Sequence, residues 1–309
     1  MKVKDILTPS FTTLQQQQHH HPTERVWQRC LSIRNQFCEA VVRAGFLSWE
    51  QMVNAACRYC IGASKLGGVI FWQIDHEGRV HDGKVMYYLL DCHRNKAKEA
   101  HPVWVSTLLA RRETALALTM NHSHFSANQT SHCFFGLHLL DHTDLTDYTD
   151  NISAVSAISA RPKESVRSVC DKTICIVEAE KSAFILSELF PDCIWLAAGG
   201  LGEVQSDKFR PLRGRKVVLF PDTDSDGIAF RRWSEAANQV MQSPFWENSP
   251  PIRVSPILEL HASTDQKRRK IDLVDFLFEG HTDATDSTDI NPSNPRNPCS
   301  CQIQGEFSL

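Results

Sequence analysis

Between Thr23 and about Cys60, residues Trp27, Leu31, Arg34, Cys38 and the Val41-Val42 pair recur at three-to-four-residue spacing, the period of helices that bury one face. Gly45 breaks this stretch, and Ser48 is placed to cap a second helix over Trp49–Tyr59. The texture changes after Gly67-Gly68. Val69–Ile74 and Arg79–Tyr88 flank the polar turn Asp75-His76-Glu77-Gly78, which predicts a β-hairpin. Residues 91–132 are irregular and polar, with one short helical stretch near Leu108–Leu118, and an apolar island, Cys133–Leu140, follows. From Thr173 the pattern alternates. Strand-like runs at Ile174–Val177, Cys193–Ala198 and Val217–Phe220 are separated by amphipathic stretches at Ser182–Phe190 and Ala229–Val240. A fourth strand is expected within Ile252–Leu258 and a closing helix over Ile271–Phe278. Strands separated by helices imply a parallel sheet with helices on its faces.

This organisation divides the chain into five segments. Residues 1–22, with Gln15–Gln18 and His19–His21, form a low-complexity arm. Residues 23–140 form a helical lead-in and a small α+β subdomain, residues 141–170 a Thr/Asp/Ser-rich linker, and residues 171–280 the α/β domain. Residues 281–309 form a polar tail expected to be disordered.

Composition narrows the classes. A chain of 309 residues, 22% of them charged, can bury a core in one large or two small domains. A net charge of −3 gives no whole-chain pull toward nucleic acid, although local basic stretches can still provide one. The eleven cysteines are scattered, Met1–Gln18 has no apolar signal core, and no apolar run approaches the ~20 residues that span a bilayer. A reduced, cytoplasmic protein with no membrane partner is expected, its thiols serving as small hydrophobes. Cys57-Arg58-Tyr59-Cys60 has no second pair at ligand spacing, so no zinc is expected.

The chemistry-bearing residues cluster at strand ends. Asp222-Thr223-Asp224-Ser225-Asp226-Gly227 directly follows the third strand of the α/β unit, and Glu178-Ala179-Glu180 directly follows the first. In a parallel sheet both lie at the carboxyl edge, where α/β proteins place their sites. Oxygen ligands in this arrangement suit Mg²⁺. Asp and Ser after a strand are also ordinary capping and turn residues, and acids at a helix N-terminus gain from its dipole without metal. An EF-hand calcium loop is excluded, since its twelfth position is Trp233 rather than glutamate and a strand precedes it. Basic residues gather at Lys208, Arg210, Arg213, Arg215 and Lys216, at Arg231-Arg232 and at Lys267–Lys270, where they can hold a phosphate backbone or simply form a solvated face.

Val177-Glu178-Ala179-Glu180-Lys181-Ser182-Ala183, then Ala198-Gly199-Gly200, then Phe220-Pro221-Asp222-Thr223-Asp224-Ser225-Asp226-Gly227 resembles the Toprim domain of bacterial primases, topoisomerases and certain nucleases. The upstream hairpin and Phe134-Phe135-Gly136-Leu137 resemble the subdomain that precedes Toprim in bacterial-type primases, most closely in primase-like proteins of mobile elements. The resemblance implies a Toprim-like parallel sheet behind a small α+β subdomain. It implies Mg²⁺, or Mn²⁺, on Glu178, Asp222 and Asp224, with Asp226 as a helper. It leaves Lys181, Arg213, Arg215 and Lys216 as candidates for phosphate or nucleic acid. The family glycine between the glutamates is Ala179 here.

The leading expectation is therefore a Mg²⁺-dependent, primase-like nucleotidyltransferase. Its partners would be single-stranded DNA, nucleotides and a replicative helicase or a separate zinc-binding module. A non-catalytic nucleic-acid-binding accessory and a Toprim metallonuclease are the alternatives.

Overall fold

The computed structural model describes residues 23–120, 132–140 and 172–279. The expected arm, linker and tail lie outside these residues. The chain opens with helices α1 (Glu24–Cys30), α2 (Gln36–Arg43) and α3 (Trp49–Arg58). Where the periodicity predicts one helix up to Gly45, the structure has two. The Leu31 backbone leaves the helical path to bridge Gly62, and Asn35 then restarts the chain as an N-cap, accepting Cys38 N–H at 3.0 Å. Ser48 and Gln51 close a capping box at the start of α3, as the sequence leads one to expect.

Strands β1 (Gly62–Ala63), β2 (Val69–Ile74), β3 (Val80–Met86) and β4 (Val103–Trp104) form an antiparallel sheet in that order. The hairpin turn is held by the Asp75 carboxylate, which accepts the N–H groups of Glu77 and Arg79 at 2.9 and 3.0 Å. Helix α4 (Val105–Met120) begins earlier than its apolar pattern predicts, because buried Asp82 on β3 accepts Ser106 N–H at 3.0 Å and caps it across the chain.

The α/β unit is a parallel sheet of β5 (Thr173–Val177), β6 (Cys193–Ala197), β7 (Val217–Phe220) and β8 (Arg253–Val254), in the order β6-β5-β7-β8 and flanked by helices. Its flanking helices include α5 (Glu180–Leu189) and α6 (Ile228–Met241). The expected fourth strand is only two residues long. Pro256 cannot donate to a ladder, and Ile257 already begins α7 (Ile257–His261). Then come α8 (Thr264–Arg269) and α9 (Leu273–Glu279).

Both sheets share one core. Phe37 on α2 packs against Phe71 of the antiparallel sheet and Phe184 of α5, with centroids 5.3 and 5.1 Å away, and Phe135 stacks on Tyr59 at 4.8 Å. Tyr59 Oη donates to the Trp195 carbonyl at 2.7 Å, and the Phe135 backbone bridges Ala197 beside β6. The apolar island 133–140 is thus the seam between the two units. The cysteines of the described residues are all unbridged, and burial lifts the Cys38 and Cys60 thiols to about 12. Among the described residues, no helix is long and apolar enough to cross a membrane.

Candidate active site

The register of the parallel sheet brings the site together. β5 and β7 pair Val177 with Phe220, so Glu178 and Asp222 both leave the sheet at its carboxyl edge, one and two residues past the last rung. Beside them, Gly199 N–H donates to the Glu178 carbonyl at 2.9 Å and pins the turn after β6 over the same edge. Gly199 has φ +91°, a left-handed conformation that calls for glycine.

A third segment arrives from further along the chain. Buried Thr223 donates its N–H to the Ile271 carbonyl at 3.1 Å, and this single backbone bond sets Asp272 beside Asp222. Asp272 and Asp275 cap the start of α9. Asp275 N–H donates to Asp272 Oδ1 at 2.8 Å, and Ser182 Oγ donates to Asp272 Oδ2 at 2.7 Å. Asp272 and Asp275 were not expected from the sequence. The signal was there in Ile271-Asp272-Leu273-Val274-Asp275, an acid pair opening an apolar helix, but only the Thr223–Ile271 contact gives it a place at the sheet edge.

Lys181 lies inside this cluster rather than on a phosphate-binding surface. Its ammonium is 3.2 Å from Asp272 and 3.4 Å from Asp275 and lies over the Phe46 ring at 5.9 Å. Burial pushes its pKa down, but the two carboxylates outweigh this and hold it above its ordinary value. Burial likewise works to raise the Asp272 pKa, and Lys181 with the donated hydrogen bonds brings it below normal. Lys84, from β3, bridges the two sheets by donating to Glu180 Oε1 at 3.0 Å and to the Gly199 carbonyl at 2.9 Å.

The other carboxylates are under strain of charge. Burial, then the Glu178 and Asp272 charges, raise the Asp222 pKa well above the carboxylate range. Burial is also the main cause that raises Glu178, against a hydrogen bond from Leu201 N–H and the charge of Lys84. Asp224 is placed differently. Its Oδ1 accepts the N–H groups of Asp226 and Ile228 at 2.9 and 3.0 Å, and its Oδ2 accepts Ala229 N–H at 2.8 Å, so it caps α6. Burial opposes ionisation there, but those three donors and Lys270 bring its pKa below normal. Asp226 is exposed on the same turn.

Arg213, Arg215 and Lys216 are not brought to this edge. They precede β7, where the Lys216 carbonyl accepts Ile174 N–H, at the amino end of the sheet. Six residues of near-extended chain, roughly 20 Å, separate Lys216 from Asp222. These three basic residues therefore lie on a face away from the carboxylates.

Among the described residues, no group of three or more His, Cys, Asp or Glu side chains is arranged to hold a metal ion. Glu178 and Asp222 offer a smaller donor set of two oxygen ligands whose mutual repulsion a cation would relieve. That set fits Mg²⁺, which usually takes one or two carboxylates, retains several waters and completes its shell with substrate phosphates.

A model of a family described as "Domain of unknown function (DUF6371)" matches residues 35–154 and 164–223, more than half of the chain. The matched residues contain Lys84, Glu178, Lys181 and Asp222 and stop short of Asp224, Asp272 and Asp275. No curated protein matches the chain.

Proposed function

We propose a function for a chain that belongs to the DUF6371 family, a domain of unknown function: a Toprim-type, primase-like nucleotidyltransferase that joins nucleotides on single-stranded DNA in mobile-element replication. The observation that supports it most is the convergence of Glu178 and Asp222 at the carboxyl edge of a parallel sheet, in the order and at the strand ends of the Toprim pattern. Mg²⁺, or Mn²⁺ in its place, would be held by Glu178 and Asp222 and would neutralise triphosphate charge.

The chain's own groups set the rest. The reaction is an in-line displacement in which a hydroxyl attacks the α-phosphorus, its proton is taken up and pyrophosphate leaves. Glu178, whose pKa burial raises, would either bind the metal or take up that proton. Lys181 and Ser182 hold Asp272 ionised and fixed, so that its charge faces Asp222 without competing for the same protons. Lys84 ties the Glu180–Gly199 side of the edge to the antiparallel sheet and fixes the spacing of the two units. Nucleotides and single-stranded DNA are the partners, and a replicative helicase or a separate zinc-binding module would complete the machinery.

A second function, a non-catalytic nucleic-acid-binding accessory, is favoured by one observation. Asp224, one of the three residues the Toprim pattern offers to metal, has its carboxylate committed to a helix cap. Template-dependent nucleotide incorporation by the purified full chain separates the two. With Mg²⁺ the wild type incorporates nucleotides, and Glu178→Gln or Asp222→Asn lowers the rate on the order of 100-fold or more. No incorporation by the wild type, with single-stranded DNA binding intact in EDTA, would sink the catalytic assignment. Mg²⁺-dependent nicking of plasmid DNA would instead place it with the Toprim nucleases.

A further inference from the structure

Away from the carboxylates, an open groove of about 690 Å³ lies between α2, the start of α3 and the turn ending at Gly67. Its walls include Arg34, Gln36, Val42, Arg43, Trp49 and Gly67. Three features distinguish it from an ordinary surface dent. Trp49 is 54% exposed, far more than a tryptophan retained for packing needs. Arg34 and Arg43 are exposed and have no carboxylate within ion-pair distance among the described residues, whereas Arg58, Arg79, Arg210 and Arg269 each have one. Exposed Lys65 and Leu66 adjoin it on the turn before Gly67, and Glu39 is the single acid in its lining.

The walls are also fixed in advance. Gln36 N–H donates to the Gly67 carbonyl at 2.9 Å and clasps the turn to α2. Asn35 anchors the groove's floor by donating to the Ser32 and Gly62 carbonyls, and Trp49 stands at the first position of a helix closed by the Ser48–Gln51 capping box. A preformed groove lined by one exposed aromatic ring and by cations with no ion-pair partner among the described residues has the chemistry of a single-strand platform. Bases stack on the ring regardless of their identity, and guanidiniums meet the phosphates on either side.

We propose that this groove holds a single strand of nucleic acid, with a base stacked on Trp49 and its flanking phosphates on Arg34 and Arg43. The proposal deepens the primase-like function and rests on it for the strand's role as template. The groove is joined to the carboxylate edge by Phe46, in the turn between α2 and α3. Its ring packs edge-on against Phe278 at 4.7 Å and lies under the Lys181 ammonium.

The test is fluorescence anisotropy of a labelled oligodeoxythymidylate with the purified full chain in EDTA, so that binding is read without the metal site. Trp49→Ala is expected to weaken binding about 5- to 150-fold, the range of a lost base stack, and Trp49→Phe to restore most of it. Arg34→Gln with Arg43→Gln is expected to flatten the slope of log affinity against log salt by about 1.4, since each phosphate contact on a single strand contributes about 0.7. Far-ultraviolet circular dichroism and an unchanged melting temperature confirm that these exposed substitutions leave the fold intact. Unchanged affinity in folded Trp49→Ala would overturn the proposal, as it would if the groove instead seats an apolar segment of another protein. An unchanged salt slope in the double arginine variant would do the same. If Trp49→Ala binds normally while Asp222→Asn still loses nucleotide incorporation, the groove assignment fails and the catalytic one stands. Loss of binding in Trp49→Ala, in a chain that never incorporates nucleotides, separates them the other way.

Discussion

Asp222→Asn should stabilise the metal-free protein and destabilise the metal-loaded one relative to wild type. Asp222 is half-buried beside Glu178 and Asp272, and desolvation with these charges raises its pKa well above normal. Like charges within the ~4–6 Å over which they shift one another's pKa repel by roughly 3–4 kcal/mol at an effective dielectric near 20. Asparagine keeps the shape and removes the charge, and part of the gain is lost to solvent screening and relaxation. A net gain on the order of 1–2 kcal/mol is expected in EDTA at neutral pH, a rise in melting temperature of roughly 2–8 °C for a domain of this size. The sign with pH follows from the direction of the shift. A carboxyl whose folded pKa is raised binds its proton more tightly when folded, so its ionisation costs stability as pH rises through the folded pKa. The advantage of Asp222→Asn therefore grows toward alkaline pH and vanishes in acid, where wild-type Asp222 is protonated. Saturating Mg²⁺ reverses the order. At 100 times its Kd a ligand adds about 2.7 kcal/mol to the protein that binds it, and the variant forgoes most of that. Thermal denaturation in EDTA and in MgCl₂, across pH, reads both effects. A variant less stable than wild type in EDTA, or equal Mg²⁺ shifts in the two proteins, would refute the reasoning.

Lys181→Met leaves buried Asp272 and half-buried Asp275 without their cation and should cost about 3–5 kcal/mol at neutral pH by urea denaturation. The depressed Asp272 pKa means that the pairing contributes above the unfolded carboxylate pKa and is lost in acid, so the deficit should shrink as pH falls. Asp224→Ala removes a three-donor cap and should cost about 1–2 kcal/mol, whereas Asp224→Asn keeps the oxygen that accepts Asp226 and Ile228 N–H, loses the bond from Ala229 N–H and should cost less. Nucleotide incorporation by the stable Asn variant then reports on metal ligation alone, and retained activity would confine Asp224 to the cap. Arg213→Glu with Lys216→Glu, at the far end of the sheet, should leave single-stranded DNA affinity unchanged within error by anisotropy, and a clear loss would return that face to the binding surface.

Elements closed by local chemistry were legible in the sequence. The β2–β3 hairpin, the Ser48 cap and the apolar runs of β5, β6 and β7 follow from alternation, capping residues and strands buried on both faces. Elements set by distant partners were not. The break at Leu31–Asn35 depends on a bridge to Gly62, and the early start of α4 depends on Asp82, 24 residues upstream of Ser106. The site divides the same way. Glu178 and Asp222 were found because strand ends order them, whereas Asp272 and Asp275 are recruited by one backbone bond across 48 residues. Asp224 shows how one residue type serves two purposes, since an aspartate four residues past a strand is as well placed to cap the next helix as to bind a cation. Charge along the sequence did not locate Arg213, Arg215 and Lys216 in space. Nearness to Asp222 in number became the length of a strand in space.

Anomalous scattering from a crystal of the full chain grown with Mn²⁺ tests the central claim most directly. The expected result is one peak at ~2.1–2.2 Å from carboxylate oxygens of both Glu178 and Asp222, absent in Asp222→Asn. A peak on other residues, or none at a Mn²⁺ concentration that shifts the melting temperature, would contradict a phosphoryl-transfer metal site at the carboxyl edge of this sheet.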